Sequence, residues 1–272
     1  MAKMRKPMPD RHTLYQRAVQ APDAEVDFAD QAFRRFRGRR AVTMREDFCG
    51  TAAISCEWVK RRRTNRAIGL DLDQPTLDWG LGHNVAKLSA EQQGRLKLYR
   101  RNVLKPGREG SGVDLVLAMN FSYWIFKERA KMLAYFKAVR KSLGRQGLFI
   151  LDIYGGPDAI DEVTERRPIR GKSKGGFTYI WEQERFDPIT NETLCHIHFR
   201  LNDGRSIRKA FTYDWRVWTI PEIRDILDDA GFKRTTVFWE GDDAKGGGDG
   251  EFKPKQHGDS CAAFIAYIVA ER

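Results

Sequence analysis

V-T-M-R-E-D-F-C-G-T-A-A-I-S-C-E-W-V-K-R-R-R-T-N-R-A-I-G-L-D-L-D, residues Val42 to Asp73, decides how the rest of the chain is read. A short apolar run leads into a tight turn holding Gly50. A helical stretch with Ile54, Trp58 and Val59 follows, and a second apolar run ends on Asp71. Strand, turn, helix, strand and terminal acid make a nucleotide-binding βαβ pattern. In such a unit backbone N–H groups at the turn approach the ligand, and the acid accepts bonds from ribose hydroxyls. The turn lacks G-x-G-x-x-G, so a dinucleotide is weakly indicated.

Upstream, His12 to Phe36 reads as one or two helices interrupted near Pro22, with Asp23 or Asp27 available to cap the second. A segment in that place either packs on the flank of a nucleotide fold or covers the ligand as a lid. Downstream, Gln74-Pro75-Thr76 opens a helix carrying Leu77, Leu81, Val85 and Leu88 on one stripe. Leu96 to Tyr99 and Val113 to Met119 read as strands. Met132, Leu133, Phe136, Val139 and Leu143 recur at helical spacing, and Gly147 to Asp152 is a fifth strand. The alternation predicts an α/β fold with a doubly wound, mostly parallel, Rossmann-like sheet.

After Gly155-Gly156-Pro157 the period changes. Thr178 to Phe186, Thr193 to Leu201 and Ser206 to Tyr213 alternate as strands, and Asn202-Asp203-Gly204 joins the last two as a hairpin turn. This predicts an inserted antiparallel cap. Thr219-Ile220-Pro221-Glu222 opens a further helix with a capping box, Thr235 to Trp239 and Cys261 to Ala270 return to strand, and Gly241 to Gly250 reads as a mobile loop. The expected organisation is an N-terminal helical segment or lid over 1–39, an α/β core over 40–157, the cap over 158–215, and the C-terminal part of the core over 216–272.

At 272 residues, 41% hydrophobic and 31% charged, the composition is that of an ordered globular chain. The basic, proline-containing N-terminus does not resemble a secretory signal, and the longest apolar run, Cys261 to Ala270, is too short to span a bilayer. Cys49, Cys56, Cys195 and Cys261 include no C-x-x-C pair, which suits reduced thiols in a cytoplasm and predicts no metal centre. A net charge of +11, concentrated in Arg34 to Arg40 and Lys60 to Arg66, would attract nucleic acid, an anionic surface or a small anionic substrate. Both runs also fit the basic ends and solvated faces of helices.

The turn resembles the first motif of class I S-adenosylmethionine-dependent methyltransferases, an acid followed by G-x-G-x-G. Glu46 matches the acid and Cys49-Gly50-Thr51 the centre, while Phe48 and Ala52 replace the first and last glycines. Gly69-Leu70-Asp71-Leu72-Asp73 resembles the segment after the family's second strand, and Leu133 to Asp152 and Trp218 to Phe232 resemble its later blocks. The resemblance implies S-adenosyl-L-methionine as cofactor, S-adenosyl-L-homocysteine as product, and cofactor contacts from Glu46, Cys49, Gly50, Thr51, Asp71, Leu72, Asn102, Val103 and Asn120. It implies no metal, since a sulfonium methyl needs none to leave, only an aligned nucleophile and excluded water.

The cap resembles those of small-molecule methyltransferases, and Tyr15, Trp181, Tyr213, Arg216 and Trp218 are the candidate substrate contacts. His198, Tyr123 and Tyr154 are candidate catalytic groups; His196 and His198, two apart on a strand, share a face. The expected acceptor is N or O of a small anionic molecule. Asn120-Phe121-Ser122-Tyr123 keeps the Asn and Tyr spacing of base-modifying methyltransferases without their prolines, so an RNA or DNA methyltransferase is the alternative. A non-catalytic S-adenosylmethionine-binding protein is the third reading, because Phe48 stands where backbone usually lies bare against the cofactor.

Overall fold

The computed structural model describes residues 7–171, 175–242 and 247–272. Two helices come first. In α1 (Arg11–Ala18) the Asp10 side chain accepts from the N–H groups of His12 and Thr13. Helix α2 (Pro22–Arg37) has no side-chain cap: Ala21 precedes Pro22, whose fixed φ starts the helix, so neither Asp23 nor Asp27 caps it. Gly38, at φ 65°, ends it. Residues 1–6 of the basic N-terminus lie outside the described residues.

The core alternates β1 (Thr43–Asp47), α3 (Ala53–Arg61), β2 (Arg66–Asp71), α4 (Gln74–His83), α5 (Ala90–Gln93), β3 (Leu96–Arg100), β4 (Val113–Ala118), α6 (Arg129–Ser142) and β5 (Leu143–Gly155). The cap consists of β6 (Thr164–Ile169), β7 (Phe177–Asp187), β8 (Glu192–Leu201) and β9 (Ser206–Arg216). Helix α7 (Ile220–Asp229), with its Thr219–Glu222 capping box, then leads to β10 (Arg234–Asp242), β11 (Gly248–Pro254) and β12 (Phe264–Glu271).

The large sheet runs β11-β10-β12-β5-β4-β1-β2-β3, parallel from β5 to β3 and antiparallel from β5 to β11. Order reverses between β1 and β4, which opens a crevice at their C-terminal ends. Helices cover both faces. Val26, Ala29 and Phe33 of α2 pack with Ile54, Trp58 and Val59 of α3 on one side. Met132, Phe136 and Val139 of α6 pack with Ile223, Ile226 and Leu227 of α7 on the other. The small sheet, β6-β7-β8-β9, is antiparallel throughout. No described helix is long and apolar enough to cross a membrane.

Two strands differ from expectation. β6, T-E-R-R-P-I, is an edge strand: it carries three charges and Pro168, which an edge tolerates and a central strand does not. The glycine-rich stretch expected as a mobile loop instead supplies the end of β10 and the start of β11, which pair Asp242 with Gly248; residues 243–246 lie outside the described residues.

The two helices of the N-terminal segment lie in different places. α2 covers the flank of the large sheet. α1 lies between cap and core: Leu14 and Ala18 join Phe177, Ile197, Phe199 and Ala210 of the cap, while Gln16 reaches Thr51 of the core.

Candidate functional site

The turn after β1 has an unusual backbone. Phe48, Gly50 and Ala52 stand at φ 57°, 49° and 57°, left-handed at every second residue. Glycine adopts this region freely, whereas an L side chain costs about 1–2 kcal/mol. The hydrogen bonds around the turn offset that cost. Cys49 N–H donates to Leu70 O at 3.0 Å and Ala52 N–H to Cys49 O at 2.7 Å. Gly50 N–H donates to Asp71 Oδ2 at 2.8 Å. Thr51 is held twice, its carbonyl by Asn84 Nδ2 at 2.9 Å and its hydroxyl by Gln16 Nε2 at 2.8 Å. Helix α4 comes close enough that a Cβ on Gly80 would meet Thr51 O at 2.6 Å. The Phe48 ring turns into the core, 5.7 Å from the Tyr135 ring and 5.9 Å from Phe126.

Three carboxyls gather behind this turn. Glu46 Oε2 accepts from Ser55 N at 2.8 Å and Ser55 Oγ at 2.5 Å, yet burial pushes its titration up to about 7. Asp152, at the end of β5, accepts from Asn120 N at 2.7 Å and Phe121 N at 2.9 Å and is likewise pushed by burial to about 7. Those two bonds hold Asn120 and Phe121 left-handed, at φ 57° and 56°. Glu25 of α2 is 8% exposed, and its Oε2 has no hydrogen-bond partner. Burial, then the charges of Asp152, Glu46 and Asp23, raise it to about 8. No cation among the described residues pairs with this oxygen.

Asn120 and Phe121 also form part of the wall of a cavity of about 440 Å³ between core and cap. Tyr15, Phe121, Tyr154, Trp181, Tyr213 and Trp215 supply its aromatic surface. Alternation places them: around the cavity the odd-numbered cap-strand residues, including Trp181, Ile197 and Tyr213, face inward and their even-numbered neighbours face away, a parity that the bulge of β7 at Glu184 reverses for Arg185 and Phe186. The rings support one another, with Tyr213 and Trp215 centroids 4.4 Å apart and Tyr154 stacked on Trp124 at 4.6 Å. The Tyr154 hydroxyl is buried without a partner, and burial raises its pKa, so it remains protonated. Asp158, Glu165, Glu240 and Arg167 are the charged residues of the wall.

No family model and no curated protein matches the chain. Solved structures do. DesVI from Streptomyces venezuelae aligns with a TM-score of 0.67 at 15% identity, over 94% of this chain and 95% of that one. CalS10 from Micromonospora echinaspora, an amino pentose methyltransferase solved with S-adenosylmethionine, aligns at 0.66 and 15% identity over 97% and 99%. An S-adenosylmethionine-dependent methyltransferase from Clostridium acetobutylicum aligns at 0.65 and 16% over 94% and 96%.

The chain has the class I methyltransferase fold.

Within the methyltransferase fold, Glu46, Cys49, Gly50, Thr51, Asp71 and Asn120 lie at the C-terminal ends of β1, β2 and β4. Glu46, Cys49 and Thr51 are buried, and Leu72 is 58% exposed. Asp71 bonds Gly50 N–H through one oxygen and Asp73 N–H, at 2.9 Å, through the other; Asp73, not Asp71, precedes α4. Asn102 is exposed after β3, and its Oδ1 accepts from Leu104 N–H; Val103 beside it is buried.

Tyr15, Tyr154, Trp181 and Tyr213 meet at the cavity, and four other candidates stand elsewhere. Tyr123 is fully buried, and its hydroxyl donates to Asp152 O at 2.8 Å. His198 is on the face of β8 turned away from the cavity, with Nε2 2.8 Å from Glu182 Oε2. Arg216 shares that outward parity; it donates to Lys127 O and Glu222 and lies 3.9 Å over the ring of Trp218, which is buried in the core. Phe121 and Trp215 line the cavity, and Glu25 and Asp152 are among the carboxyls behind the turn; none of the four was a candidate site residue in the sequence. Trp215 and Asp152 carried a usable signal: Trp215 shares the parity of Tyr213, and Asp152 ends a core strand.

Proposed function

We propose that the protein is an S-adenosylmethionine-dependent methyltransferase acting on nitrogen or oxygen of a small molecule held in the aromatic cavity. The observation that carries this reading is the turn at Phe48, Gly50 and Ala52, which keeps a left-handed backbone at all three positions despite losing two glycines, next to Asp71. The Phe48 ring packs into the core, so the substitution that favoured a non-catalytic reading does not fill the turn.

The residues fit the cofactor. Each Asp71 oxygen holds one backbone N–H, which leaves lone pairs for ribose hydroxyls. The unpaired oxygen of Glu25, close to Glu46 and Asp152, suits an ammonium group. When bound, the cofactor supplies an electrophilic methyl group on sulfur. The chain's own task is then to orient a neutral nucleophile and keep water away. Tyr154, protonated and unpaired, offers a hydrogen bond to an acceptor oxygen or nitrogen. Three carboxylates and one guanidinium on the wall favour an amine acceptor over the anion suggested by net charge. Part of the basic runs is engaged elsewhere, as in Arg62–Asp30, Arg61–Glu57 and Arg37–Glu271. The amino pentose acted on by CalS10 is an acceptor of this kind.

Titration calorimetry with S-adenosylmethionine and S-adenosylhomocysteine tests the reading. Binding by the wild type with a loss of at least about 100-fold in Asp71→Ala is expected, since a carboxylate bonded to both ribose hydroxyls is removed. Absence of binding to the wild type, or unchanged binding in the variant, would sink it.

A further inference from the structure

The outward face of the cap carries a second polar cluster that the proposed methyl transfer does not use. Glu182 of β7, His196 of β8 and Thr212 of β9 form one row across three strands. Glu184 joins them because β7 bulges there: Gln183 pairs with Cys195 and Arg185 with Leu194, leaving Glu184 as the extra residue. A bulge re-aims a side chain, and here it gives two carboxylates to one imidazole. One ligand atom from each of Glu182, Glu184 and His196 lies within 4.8 Å of the other two.

His196 is 2% exposed. Its Nδ1 is 2.9 Å from Thr212 Oγ1, which fixes the ring. Its Nε2 is buried and has no hydrogen-bond partner: Glu184 Oε2 is 2.9 Å away but off the line a hydrogen bond requires. In the tautomer in which Thr212 accepts from Nδ1–H, a lone pair on Nε2 faces the carboxylates, an arrangement that a cation between them would satisfy. His198 has a different part. Its Nδ1 accepts from Lys209 N–H at 3.1 Å, so Nε2 carries the proton and donates to Glu182 Oε2 at 2.8 Å. It supports a carboxylate ligand from behind and is not itself a ligand. Lys209 Nζ, 2.7 Å from Glu184 Oε2 on a half-exposed side chain, is the cation competing for the place.

We propose that His196, Glu182 and Glu184 form a binding site for a divalent first-row transition metal, with zinc as the reference ion, on the face of the cap opposite the cavity. One imidazole and two carboxylates suit zinc, at bond lengths of about 2.0–2.2 Å, better than calcium or magnesium, which take oxygen alone. A fourth position is left to water. The ion joins β7 to β8, the strands whose odd residues Trp181, Gln183 and Ile197 line the cavity. The site is independent of the methyl-transfer reading.

The test uses the full chain stripped with a chelator, titrated with Zn²⁺ by calorimetry and with Co²⁺ by visible absorption. One equivalent should bind, with the intense bands of four-coordinate cobalt. Glu184→Gln, at a part-exposed position, keeps the fold and should weaken Zn²⁺ binding at least about tenfold. Lys209→Met removes the competing ammonium and should tighten it about threefold or more. Absence of one-equivalent binding, binding unchanged in both variants, or a Co²⁺ spectrum no different from the hydrated ion would overturn the assignment.

Discussion

Replacing Glu25 with glutamine removes one of three crowded carboxyls while keeping the size of the side chain. Burial, with the charges of Asp152, Glu46 and Asp23, raises the titration of Glu25 from 4.5 to about 8. Between those values the folded chain holds a proton that the unfolded chain has released. Stability therefore falls as pH rises through this window, and the penalty is complete above about 8. At about 1.4 kcal/mol per pH unit the penalty is at most about 5 kcal/mol. Glutamine is neutral throughout. Urea denaturation at about pH 4 should find the two proteins nearly equal, at about pH 6 the variant should be more stable by about 2 kcal/mol, and at about pH 9 by up to about 5 kcal/mol.

Glu46 and Asp152, both raised to about 7, leave the variant with a weaker fall of its own. In calorimetry the wild type should bind S-adenosylmethionine more tightly as pH rises, releasing a proton that registers in buffers of different ionisation enthalpy. Glu25→Gln should bind more weakly at high pH and release less. A variant no more stable than wild type at high pH would refute the account of Glu25 as a strained buried acid. A stabilised variant with the wild-type pH profile for the cofactor would refute its part in holding an ammonium.

Three further substitutions probe the site. Gly80→Ala gains about 1 kcal/mol of helix propensity but sets a Cβ 2.6 Å from Thr51 O. Thermal unfolding should show a net loss of about 1–3 kcal/mol, and calorimetry a weaker grip on the cofactor. Ala52→Gly exchanges a buried methyl for relief of a left-handed residue at φ 57°; melts should agree with wild type within about 1 kcal/mol, with cofactor affinity kept. Asp152→Asn takes away an acceptor from the Asn120 and Phe121 N–H groups. Denaturation should register a loss of about 1–3 kcal/mol, and hydrogen exchange should quicken at one of those two amides.

The parallel core was legible because its helices and buried strands carry strong periodicity. Strands β6 and β11 were not. Both lie at sheet edges, where charge, glycine and proline are admissible and no apolar pattern has to be kept. In the turn, the letters at Phe48 and Ala52 departed from the glycine pattern while the backbone did not, and φ is no property of a letter when neighbouring bonds can impose it. The orientation of His198 was readable in principle: Cys195, Ile197, Phe199 and Leu201 form the buried apolar face of β8, which leaves the even positions outside. Glu25 gave no signal, because its partners Glu46 and Asp152 come from distant strands and meet it only through the topology of the sheet.

Helix α1 has a consequence for how the chain is made. Its apolar residues Leu14 and Ala18 are covered by the cap, and Arg11 Nη1 reaches the carbonyl of Ala210, 199 residues away. During synthesis the apolar face of α1 therefore has no cap to dock on until β9 has followed it. Contacts of such sequence separation form late. Helix α1 should thus be among the last elements to settle, the turn at Gly50 should stay uncovered until it does, and cofactor present during refolding should meet an open crevice before a closed one.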